Sequence, residues 1–183
     1  MSLPFPAALA AVLSNSSTPA TPPTVPSVVA SPFIFKSPTS PLGATDFNAG
    51  GSWAHTASTR LFVAAQWLRT SASATSPGFT WNGVSMTAVG STPVGQSVSG
   101  SLLIGLWTLN AAATGVQTLA FVPSGSAIGR IRGVAFDVAD FGSIVWSDGL
   151  SDTATPAALS VDCPARTGTE NNLLVGFGGI HRR

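Results

Sequence analysis

The stretch Phe79–Val89, FTWNGVSMTAV, decides the fold class. At its centre stands Asn82-Gly83, flanked by residues that alternate between apolar and polar. A two-residue type I′ turn needs positive φ at both central positions, and Asn and Gly reach that conformation most easily. The pattern therefore predicts a tight antiparallel hairpin with Trp81, Asn82 and Gly83 at its tip.

The residues on either side of this hairpin extend the same reading. Arg60–Leu68 (RLFVAAQWL) is an apolar run long enough for a helix, but it lies among strand signals. Leu102–Leu109 (LLIGLWTL) reads as a buried strand. Val116–Val122 alternates, with Val116, Leu119 or Phe121 as the candidate inward residues. In Ile131–Val138 (IRGVAFDV), Ile131, Gly133, Ala135 and Asp137 share one side, and Arg132, Val134, Phe136 and Val138 the other. Ser143–Trp146, Ala157–Val161 and Leu173–Ile180 complete the series. No interval offers the charged helix of 3.6-residue period that a βαβ fold needs. The expectation is an all-β chain, an antiparallel β-sandwich or jelly roll, over residues 45–183.

Residues 1–44 are different. They hold nine of the 14 prolines, and Lys36 is their one charged side chain. Proline removes a ladder donor, so this segment cannot run through the interior of a sheet. It is expected to be an extended, Pro-rich N-terminal arm that packs on a surface through Pro22, Pro23, Pro26, Phe33 and Phe35. Within it, Phe5–Leu13 (FPAALAAVL) is too short to span a membrane. It has the length of a signal-peptide core but lacks a preceding basic residue, and Ala7–Leu13 reads as a short helix or anchor begun by Pro6.

Composition excludes several functions. Charged residues make up 8% of the 183 residues, with a net charge of +1. A typical domain has about 25%. Ser and Thr, at 43 positions, supply much of the polarity instead. No Lys/Arg cluster exists to neutralise phosphates, so nucleic acid is not an expected partner. Cys163 is the single cysteine, which excludes a disulfide framework.

Chemistry-bearing motifs are sparse. His55 and His181 are the two histidines, and neither sits in a recognisable catalytic or zinc-binding spacing. His55 is expected to face solvent or an interface. Asp137 and Asp140 flank the end of one strand and read as turn chemistry. So do Asp148 and Asp152 in SDGLSD, which also form a weak calcium candidate. Trp67 and Trp107 sit within apolar runs and are expected in the core, whereas Trp81 is the candidate for stacking on a sugar. No enzymatic activity, catalytic residue or cofactor is expected.

The order WNGVSMTAVG, LLIGLWTLN-AAATGVQTLAF, GVAFDVADF, NNLLVGFGGI resembles a β-sandwich domain found in phage virion proteins and bacterial surface proteins. The shared features are the hairpin, the strand carrying Trp107, the turn at Thr114-Gly115, the Val134–Val138 strand and the late strand after Asn171. The resemblance covers roughly residues 46–180 and does not include the Pro-rich arm. It implies a virion structural protein: a capsid decoration, head-fibre or tail component that binds copies of itself and other virion proteins through the arm and an open sheet edge. Removal of residues 1–44 is then expected to leave a folded domain that no longer assembles. The alternative is a secreted or cell-surface module that binds a glycan or another surface. Neither reading involves a membrane.

Overall fold

The computed structural model describes residues 7–14, 25–36, 45–47, 53–69, 78–90, 94–95, 102–123, 128–151 and 172–179. Every regular element among them is a strand, and every pairing is antiparallel. In chain order these are β1 (Ala7–Ser14), β2 (Ser27–Lys36), β3 (Thr45–Asp46), β4 (Arg60–Arg69), β5 (Gly78–Trp81), β6 (Val84–Ser85) and β7 (Thr87–Ala88). They continue with β8 (Val94–Gly95), β9 (Leu102–Leu109), β10 (Leu119–Val122), β11 (Ile128–Ala139), β12 (Ser143–Ser151) and β13 (Asn172–Gly179).

The Asn82-Gly83 hairpin forms as its chemistry requires. Asn82 has φ 50° and Gly83 φ 77°, and Trp81 pairs with Val84 across the turn. β5 then joins β10, in a four-stranded sheet ordered β3-β10-β5-β6. The largest sheet has six strands, ordered β2-β11-β4-β9-β7, with β8 also paired to β9.

Two apolar clusters explain the long apolar runs. Leu61, Val63, Ala65 and Trp67 of β4 join Leu103 and Trp107 of β9 and Ile131 and Ala135 of β11 in the main core. This core is closed by Phe79, Trp81, Leu119 and Phe121 from the four-stranded sheet, which makes the arrangement sandwich-like. The intervening residues Phe62, Ala64, Ile104, Leu106, Phe136 and Val138 form a second buried cluster on the opposite face. A strand buried on both faces has no polar side to show, so β4 and β9 read as continuous apolar runs rather than alternating ones. The third sheet, ordered β12-β1-β13, approaches the large sheet at β4, β8 and β9.

Three readings from sequence are corrected here. Ala7–Leu13 is not a helix: β1 is the central strand of the third sheet, with β12 on one side and β13 on the other. A short run of Ala, Leu and Val fits either period, and pairing on both edges selects the strand. SDGLSD is not a turn through its described part, because β12 continues to Ser151 and pairs Asp148 with Ala10 and Gly149 with Leu9. Val116 does not point inward; the strand begins at Leu119, and Leu119 and Phe121 are the buried residues.

Residues 27–36, read from sequence as part of the arm, form β2 at the edge of the six-stranded sheet, beside β11. Its proline obeys the rule for strands. Pro32 lies on an edge strand at a register break, where Phe33 pairs with Ala135 and Val29 with Asp137. Phe35 is buried in the main core and Phe33 packs against it. The Phe35 ring occupies the space above Gly133, its cross-strand partner. A Cβ at Gly133 would lie 2.3 Å from Phe35 Cζ and 2.6 Å from the Ala64 carbonyl oxygen.

Candidate functional site

Asp137 continues the inward row of Ile131, Gly133 and Ala135 on β11, and its side chain is 1% exposed. A carboxylate at such a position needs hydrogen-bond partners, because burial without them is costly. Both oxygens are satisfied from the segment that precedes β4. His55 Nδ1 lies 2.5 Å from Oδ1, and the Thr56 amide donates to Oδ2 at 2.7 Å. His55 is itself 4% exposed. Its backbone is fixed by a reciprocal bridge to Gly115, and its ring stands edge-on to Trp81, 6.2 Å away. His55 therefore does not face solvent, and Asp137 is not a turn residue. Asp140 does serve a turn, with φ 54°.

A cleft of about 380 Å³ opens beside this pair. It lies where the chain enters β4 and leaves β9 and β11. Its walls include His55, Ser58, Arg60, Asn110, Ala111 and Phe141. Ser58 and Ala111 hold left-handed backbone, with φ 63° and 51°. Non-glycine residues in that region carry strain, which concentrates at functional positions.

Arg60 is fixed from several sides. Its Nε donates to Thr108 Oγ1 at 3.0 Å, and the Thr108 hydroxyl donates in turn to the Leu61 carbonyl at 3.0 Å. The guanidinium carbon stands 4.8 Å from the Phe141 ring centroid, within cation–π range. Partial burial strips water from the guanidinium and lowers its pKa from the ordinary arginine value. Among the described residues, no carboxylate lies within ion-pair distance of Arg60.

The residues singled out from sequence do not converge on this cleft. Trp81 is fully buried, its indole donating to the Ala113 carbonyl at 2.6 Å, so it offers no face to a sugar. Asn82 and Gly83 are exposed at the hairpin tip. Trp67 and Trp107 lie in the core as expected. Pro26 is buried, while Pro22, Pro23, Asp152, Cys163 and His181 lie outside the described residues. No group of three His, Cys, Asp or Glu residues able to hold a metal occurs among the described residues. The sequence carried half of the signal for the His55–Asp137 pair. Asp137 stood on the apolar side of an alternating strand, and a buried carboxylate there calls for a basic partner.

A second surface stands out at the β2 edge of the large sheet, the end strand among the described residues. Val25, Val28 and Ile34 are 56%, 42% and 81% exposed, half of the six large exposed apolar side chains among the described residues. Val28 and Ile34 pair with Val138 and Val134, and cross-strand partners share a face. The exposed pair therefore extends the second buried cluster to the sheet edge.

No family model matches the chain, and no curated protein or solved structure matches it.

Proposed function

We propose that the protein is a non-enzymatic structural subunit that assembles with further copies of itself by strand addition at the β2 edge. Its setting, on this reading, is the phage virion, as a capsid decoration, head-fibre or tail component with a jelly-roll-like domain. The observation that carries the reading is the exposed apolar rim of β2. An edge strand presents unpaired backbone donors and acceptors, which makes it a template for another strand. Val28 and Ile34 add apolar area beside that template. Lys36 at the strand's end is the one charged residue before residue 46, so little charge must be desolvated when the edge is covered. An antiparallel edge can pair with its own copy about a two-fold axis, which closes the contact and hides both edges.

The residues of the His55–Asp137 pair fit a structural tie better than a nucleophilic site. Such a site needs a hydroxyl hydrogen-bonded to the histidine. Among the described residues His55 makes its side-chain hydrogen bond to Asp137. Ser58 and Thr114 make none to it, and the Thr59 hydroxyl donates to the Thr56 carbonyl instead.

The test is the solution mass of the full chain beside that of Ile34→Lys and Val28→Lys. Loss of assembly in both variants, with the circular dichroism spectrum unchanged, supports edge pairing. Assembly that is indifferent to both substitutions overturns it.

A further inference from the structure

We propose that the cleft between the starts and ends of β4, β9 and β11 is a binding site for a monocarboxylate. The carboxylate pairs with the Arg60 guanidinium, and the body attached to it lies against Phe141 and Ala111. This inference does not depend on assembly through β2.

Charge selects the ligand's sign and valence. Among the described residues, the walls of the cleft carry Arg60 and the His55 imidazole and no carboxylate. His55 is hydrogen-bonded to Asp137 behind it, so among the described residues Arg60 is the charged side chain that faces the cleft with no carboxylate beside it. A single unopposed cation matches a monoanion; a phosphate dianion would keep an uncompensated charge in a partly desolvated place. Geometry selects the headgroup. Nε is engaged by Thr108 and the ring of Phe141 lies 4.8 Å from the guanidinium carbon, so the planar fork is already oriented. The remaining guanidinium donors suit the paired oxygens of a carboxylate. Preorganisation of this kind removes part of the ordering cost that binding otherwise incurs. The cleft's volume, about 380 Å³, lies at the small end of the range of ligand pockets. Asn110 and Thr114 supply polar groups on its walls.

A carboxylate of this kind reaches the cleft either as a free acid or as an acidic side chain on a protein. The full-length chain, isotopically labelled, should be titrated with butyrate, butyramide and inorganic phosphate, and with a blocked pentapeptide containing one Glu. Butyrate or the peptide is expected to shift the Ala111 and Gly142 amides and the Arg60 Nε–H resonance saturably. Butyramide, which lacks the charge, should leave them in place, and phosphate should bind at least tenfold more weakly than butyrate. Response to butyrate identifies a free acid as ligand, and response to the peptide alone identifies a protein carboxylate; both outcomes support the site. Arg60→Gln is expected to weaken binding at least tenfold, with Arg60→Lys intermediate because it keeps charge but loses the fork. The Arg60 Nε–H shift in the unmodified protein provides the test should either variant fail to fold. Equal response to acid and amide, tighter binding of phosphate, or no response at these resonances overturns the proposal.

Discussion

At Asp137 one side chain joins two parts of the chain that lie 82 residues apart. Its carboxylate stands where the alternation of β11 would place an apolar residue, and His55 and the Thr56 amide make that tolerable. Removing one partner of a buried hydrogen-bonded pair leaves the other unsatisfied, at about 1–3 kcal/mol. Urea unfolding of Asp137→Ala is expected to show a loss of that size. His55→Ala should show a comparable one, and the double variant should lose less than the sum because the two residues share one interaction. Gly83 tests a separate point. With φ 77° and no heavy atom near its missing Cβ, Gly83→Ala meets only backbone strain, about 1–2 kcal/mol. The hairpin tip was legible in the sequence because its conformation is dictated by two adjacent residues. The His55–Asp137 tie was half legible. The strand pattern placed Asp137 on the inward side, but nothing local to either residue named the other.

Among the elements, β2 departs furthest from the reading of the sequence. The prolines of residues 1–44 argued against a strand inside a sheet, and β2 does run along an edge, with Pro32 at the register break. What composition hid was Phe35, which enters the main core above Gly133. Phe35→Ala is expected to cost about 3–5 kcal/mol, as for other buried aromatic truncations. Gly133→Ala, which would press on both Phe35 and the Ala64 carbonyl, should cost about 1–3 kcal/mol through overpacking. Deleting residues 1–44 would remove β1, β2 and Phe35 together. The truncated chain is therefore expected to lose its cooperative thermal transition instead of persisting as a folded domain. By contrast, Ile34→Lys changes an exposed side chain and should alter stability by no more than about 0.5 kcal/mol. β1 and residues 147–151 of β12 escape the local reading for a common reason. Their strand character comes from neighbours distant in sequence, β12 and β13 for the first and β1 for the second, whereas a short Ala-rich run or an Asp-Gly pair carries its own contrary local preference.

At the scale of the whole molecule, the low charge acquires a structural meaning. The large sheet is buried on both faces over β4 and β9, so these central strands need no polar side. The all-β, antiparallel class was legible from this patterning and from the turn signals. The division of apolar residues between two clusters was not, since periodicity alone does not say what covers the second face. That second face ends at the β2 rim in Val28 and Ile34, and there the proposed assembly begins. The most direct test is the sedimentation mass of the full 18.4 kDa chain across a concentration series, compared with Ile34→Lys. The expected result is a concentration-dependent dimer or larger assembly that falls to the monomer mass in the variant. A monomer at every concentration, or an assembly whose mass Ile34→Lys leaves unchanged, would contradict assembly through the β2 edge.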